Sequence, residues 1–215
     1  ILMQIVLFYL LIIVGVVGFS FSFWHRIRED YTPDQICSST ILVLVGGLLG
    51  WVIFDRWLPQ FSFWGIPGGS LLFGVYAVRK IGLKLYESGD SAALGIVWFS
   101  LCFYLAHFVK DGFGDRFFRL VDLVPSLVSL LAFHLYFKNY RRFSWYPSGK
   151  IGFIAGSIGV LYFFTLALVA IYRFAVISFS SSIIDALVSL LLSVFFAGVV
   201  YSRSGRKFVL IRKKK

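Results

Sequence analysis

Charge is scarce in this sequence, and acidic charge is scarcest. Ten Asp and Glu stand against 21 Lys and Arg, and only 14% of the 215 residues are charged. Soluble globular chains carry about 25%. Cysteine is limited to Cys37 and Cys102, which leaves no disulfide framework and no metal-ligand spacing, so neither a metal nor a cofactor is expected. HExxH, P-loop and GxSxG sequences are missing, which removes the common zinc-protease, nucleotide-binding and serine-hydrolase classes. Alternating ten-residue strands are missing too, and with them the membrane β-barrel. No low-complexity linker and no internal repeat divides the chain.

What fills the sequence is apolar: 59% of the residues. A crossing helix needs about 20 mostly apolar residues, and seven segments meet this description: 1–24, 36–54, 61–78, 91–109, 118–137, 151–173 and 183–201. Backbone groups in lipid must be satisfied internally, so runs of this length read as helices. The expected fold is therefore an all-α integral membrane protein, a single seven-helix transmembrane domain over 1–201 with a basic tail at 202–215. The first run, Ile1–Trp24, has no positive n-region or small-residue cleavage site, and reads as a retained helix rather than a signal peptide.

The net charge of +11 is placed in short clusters between apolar runs, which argues for membrane topology and against nucleic acid. With seven crossings, 16 Lys and Arg fall on one side and five on the other. The positive-inside rule puts the richer side in the cytoplasm, with the C-terminus there and the N-terminus outside. Trp24, Trp51, Trp57, Trp64 and Trp145 lie near segment ends, as interfacial aromatics do.

Ionisable residues within spans usually face the bundle interior and mark function. Here they are His107, His134, Asp122 and Asp185, with Arg116, Arg119 and Arg173 near the outer face. His107 precedes Lys110, Asp111, Asp115 and Arg116, the densest polar cluster expected outside the cytoplasm. Two readings apply to it: a headgroup-binding or catalytic pocket, and an interfacial loop of solvated charges. Arg119 and Asp122 are spaced to pair on one helix face. His134 sits at a cytoplasmic helix end, where snorkelling is ordinary. Asp185 opens the last span, where the helix dipole favours a carboxylate. Tyr9 alone reads as packing. Gly46, Gly47 and Gly50 suit close helix approach. Gly65, Pro67, Gly68 and Gly69 mark either a re-entrant turn or another close contact.

The order of these elements resembles the prolipoprotein diacylglyceryl transferase family, over nearly the whole chain. Gly46-Gly47-Leu48-Leu49-Gly50-Trp51-Val52-Ile53-Phe54 is similar to that family's Gly-Gly-Arg-Leu-Gly-Tyr-Val-Leu-Phe type of stretch. Pro67-Gly68-Gly69 stands where the family has His-Gly-Gly, and Pro125-Ser126 where it has Pro-Ser. A basic loop, the Pro147-Ser148-Gly149 turn, a sixth span with Tyr162 and Arg173, and the basic tail complete the order.

The resemblance implies a multi-pass protein of the bacterial inner membrane. Its implied activity moves diacylglycerol from phosphatidylglycerol to the lipobox cysteine thiol of a prolipoprotein signal peptide. Tyr9, Arg116 and Arg173 match family polar positions, and Gly68 and Gly69 the family's glycine pair, so the resemblance implies a catalytic role for Tyr9 and substrate binding for Gly68 and Gly69. Several hallmark residues differ: Leu48, Pro67, Tyr104, Leu166 and Ala170 replace polar ones, and His107 stands for an Asn. Transfer needs cations on the phosphate and a base for the thiol. His107 is the expected base here, with Lys110, Arg116, Arg119 and Arg173 as phosphate holders. The alternatives are a catalytically silent relative that binds lipid or lipoprotein precursor, and an unrelated membrane transporter or scaffold.

Overall fold

A computed structural model describes residues 2–58, 62–110, 120–146, 148–177 and 181–205. Every regular element among the described residues is helical. The chain divides into two compact units, Ile1–Arg119 and Leu120–Lys215.

The first unit holds α1 (Leu2–Ile27), α2 (Pro33–Trp57), α3 (Ser62–Ile81) and α4 (Leu85–Lys110). The start of α2 is written locally. Thr32 caps it through a reciprocal capping box with Gln35, and Pro33 and Asp34 occupy its first turn. These choices satisfy backbone donors that the helix itself cannot. Gly82 ends α3 with a positive φ of 82°, a conformation open to glycine at little cost.

Within this unit α2 and α3 run antiparallel in close register. A Cβ on Gly50 would fall on the Gly65 carbonyl oxygen, and one on Gly69 on the Gly46 carbonyl oxygen. Ser70 Oγ donates to the Val43 carbonyl (3.2 Å), and Gln35 Nε2 to the Ile81 carbonyl (3.3 Å). The Pro67 region thus resolves as a close helix contact inside a continuous α3, not as a re-entrant turn. Small residues let helices in lipid approach this way. The α1–α4 pair is also antiparallel, with Gly95 against Phe19 and Gly15 against Cys102. At one end the two helix turns are latched together. The Tyr31 hydroxyl donates to Glu87 (2.9 Å) and accepts from the Lys84 amide (3.1 Å).

The second unit holds a 3-10 turn (Val121–Leu123), α5 (Val124–Leu135), a second 3-10 segment (Phe137–Arg142), α6 (Phe153–Ile177) and α7 (Ser181–Arg203). Gly156 and Gly159 of α6 admit Val200 and Phe196 of α7. Ser193 Oγ donates to the Val160 carbonyl at 3.0 Å across the same contact. Phe153 is fully buried. The rings of Tyr140, Tyr146, Trp145, Phe143 and Phe137 surround it at centroid distances of 4.6–5.9 Å.

Among the described residues, five helices are long and apolar enough to cross a membrane: α1, α2, α4, α6 and α7. Large apolar side chains such as Leu72, Leu131 and Leu191 lie 60–71% exposed on the helices. Such a surface suits lipid rather than water. Of the segment expected at 118–137, the described part holds a 3-10 turn over Val121–Leu123 and an α-helix over Val124–Leu135, while 118 and 119 lie outside the described residues. Twelve residues rise about 18 Å, short of the roughly 30 Å hydrocarbon core. Pro125 in the first turn suits a helix start, since its missing amide is unneeded there.

Candidate functional site

In the first unit, three of the expected site residues gather on one unexpected ring, Phe8. Tyr9 stands edge-on to Phe8 at 5.3 Å, and His107 edge-on at 5.3 Å. Lys110 Nζ lies over the same ring at 5.2 Å, a cation–π distance. Phe103, one turn earlier on α4, also meets the His107 ring, at 4.6 Å. The imidazole thus touches two phenyl rings and is half-buried, while Lys110 and Tyr9 are exposed. The helices make this grouping. Antiparallel pairing of α1 and α4 sets residue 8 opposite residue 107, and one turn of α4 separates His107 from Lys110. Phe8 carries no sequence signal of its own among the apolar residues of α1.

In the second unit, Arg173 forms an ion pair with Asp122. Their side chains are unequally covered: 36% of Arg173 is accessible and 6% of Asp122. The 3-10 turn before α5 carries Asp122 and the C-terminal part of α6 carries Arg173. A carboxylate behind an arginine fixes its guanidinium fork and leaves the outward N–H groups available to a phosphate or carboxylate. Below Asp122 the same buried face of α5 continues with Ser126 and Ser129. Their hydroxyls, like that of Ser189 on α7, are buried without a hydrogen-bond partner among the described residues.

The remaining expectations fall elsewhere. Gly69 packs on α2, whereas a Cβ on Gly68 would meet nothing within 4 Å. Arg116 and Arg119, with Asp111 and Asp115, lie outside the described residues, as do Pro147 and the tail from 206. His134 ring nitrogen Nδ1 lies 2.9 Å from the Leu130 carbonyl oxygen, a local helix contact. Among the described residues no group of three or more His, Cys, Asp and Glu is placed to hold a metal ion.

The first group offers a base, a cation and a hydroxyl at one end of a helix pair; the second offers an arginine oriented by a carboxylate. Both donor sets match an anionic ligand with an apolar body. No protein-family model, curated protein or solved structure matches the chain.

Proposed function

We propose that this chain is a seven-crossing membrane protein of the bacterial inner membrane that acts on phosphatidylglycerol as a diacylglyceryl transferase. The observation that carries the reading is the convergence of Tyr9, His107 and Lys110 on Phe8. Support for α3 as a sixth crossing comes from its register. It lies along α2 from Gln35–Ile81 to Gly50–Gly65, so a membrane that covers α2 covers α3 as well. The short α5 is the seventh, together with the 3-10 turn before it. Contacts with α6 at Asp122–Arg173 and at Phe137–Phe153 bracket its length. The charge count then sets the N-terminus outside and the C-terminus inside.

In the reaction, His107 takes the proton of the acceptor thiol. The thiolate attacks the glyceryl carbon that carries the phosphate ester, a C–S bond forms and the C–O bond breaks. Glycerol phosphate leaves with the electron pair. Lys110 holds its phosphate and offsets the charge that develops there. A thiol titrates near 8.5 in its unperturbed state, so a positioned base raises the reactive fraction.

A second reading, a silent lipid binder, has its own support. Leu48 stands at the family's cationic position in α2 and is 62% exposed on the helix surface. Leu166 and Ala170 are buried in the second unit. Expression in a bacterium depleted of its own diacylglyceryl transferase separates the two. Conversion of a model prolipoprotein on a gel, lost in His107→Ala, is the expected result. No conversion with the protein inserted in the membrane would leave the silent binder.

A further inference from the structure

At the end of the second unit that carries its basic residues, an open groove of about 420 Å³ runs between α6, α7 and the 137–145 segment. Its walls are apolar: Phe137 and Trp145 on one side, Val160, Leu161 and Val200 on the other. Hydroxyl residues Tyr201 and Ser204 line it as well, toward the end of α7. The aromatic wall is fixed from behind, because Phe137 and Trp145 both pack on the fully buried Phe153. From Ala197 to Ser204 the groove follows α7 for about 10 Å.

Cations adjoin its lining residues along the chain. Lys138, Arg141 and Arg142 are exposed on the 3-10 segment that begins with the wall residue Phe137. Arg203 adjoins Ser204, with its guanidinium on the Ile151 carbonyl. No acidic residue occurs between Asp122 and Asp185 to balance them. An apolar slot beside clustered cations complements an anionic lipid: acyl chain inside, phosphate at the rim.

We propose that this groove is a specific site for one anionic phospholipid from the leaflet at the basic end. It is distinct from the Phe8 group and independent of the transferase reading. The lipid braces α6 against α7 where Ser148 Oγ already meets the Arg203 carbonyl at 2.5 Å.

Native mass spectrometry of the full chain, titrated with phosphatidylglycerol or with phosphatidylcholine of the same acyl chains, tests this. Wild type is expected to keep one phosphatidylglycerol in preference to phosphatidylcholine. Arg141→Gln/Arg142→Gln removes two rim charges and should weaken phosphatidylglycerol retention roughly thirtyfold while leaving phosphatidylcholine unchanged. Ala197→Trp fills the slot from an exposed position and should abolish retention of that lipid with both rim charges present. Equal retention of the two lipids by wild type would overturn the proposal. Retention of phosphatidylglycerol unchanged in either variant would overturn it too.

Discussion

Arg173 and Asp122 form one ion pair, yet the two residues stand in different surroundings. Asp122 is nearly buried, whereas Arg173 keeps more than a third of its surface accessible. Removing the arginine withdraws one cation from a covered carboxylate; removing the carboxylate leaves a cation that can still reach water or a headgroup. Arg173→Met should therefore destabilise more than Asp122→Asn. The pair lies between exposed and fully buried limits, so the larger loss should be about 1–3 kcal/mol. Thermal unfolding in detergent checks the order, and a larger loss from Asp122→Asn would contradict it. Both charges were legible in the sequence as costly intramembrane groups. Their pairing was not, because 51 residues separate them and nothing local encodes which helix returns beside which. Phe8 was illegible for a related reason: its role comes from the residue across the α1–α4 contact, while its own neighbourhood is uniformly apolar. His107 and Lys110 were readable as a group, since both lie on one helix face.

Elements show how small residues decide contacts. Gly50 and Gly69 have a carbonyl oxygen where a Cβ would sit, whereas Gly68, one residue from Gly69, faces open space. Gly50→Ala and Gly69→Ala should each force α2 and α3 apart at a cost of about 1–3 kcal/mol. Gly68→Ala should be neutral or slightly stabilising, because it lowers the backbone freedom of the unfolded chain. If Gly68→Ala abolished lipid processing without loss of stability, Gly68 would belong to the site rather than to the scaffold. The glycine spacing was visible in the sequence; the register that pairs Gly46 with Gly69 and Gly50 with Gly65 was not.

The latch at Tyr31 makes a prediction at the same scale. Burial raises the Tyr31 pKa above its ordinary value of 10.0; the Lys84 amide works against this and Glu87 adds to it. The folded state therefore favours the neutral phenol. Its contribution is whole below pH 10 and is lost as the pH rises from there through the raised folded value. Unfolding measured from pH 8 to 11 should show an alkaline loss of stability that is reduced in Tyr31→Phe. An identical alkaline loss in the variant would assign the titration to other groups.

On the scale of the whole molecule, the sequence was most legible where composition acts in bulk. Apolar runs located each of the seven described α-helices, and five of these proved long and apolar enough to cross. The fifth segment was the exception, since its described part is divided between a 3-10 turn at Val121–Leu123 and the α-helix Val124–Leu135. For a chain whose N-terminus is outside, seven crossings and five crossings would both put the C-terminus inside, but they would put the α3–α4 turn on opposite sides. Lys84→Cys, in a Cys37→Ala/Cys102→Ala background, should resist an impermeant maleimide added outside intact cells and react after lysis. Labelling from outside would contradict the seven-crossing topology with an external N-terminus.

The most direct test of the account is transfer by the purified chain in phosphatidylglycerol vesicles. A lipobox peptide is supplied, and mass spectrometry follows the diacylglyceryl addition. The account predicts a mass gain of one diacylglyceryl group on the cysteine, with glycerol phosphate released and the gain lost in His107→Ala. An unmodified peptide in the presence of correctly inserted protein, or a gain undiminished by His107→Ala, would contradict it.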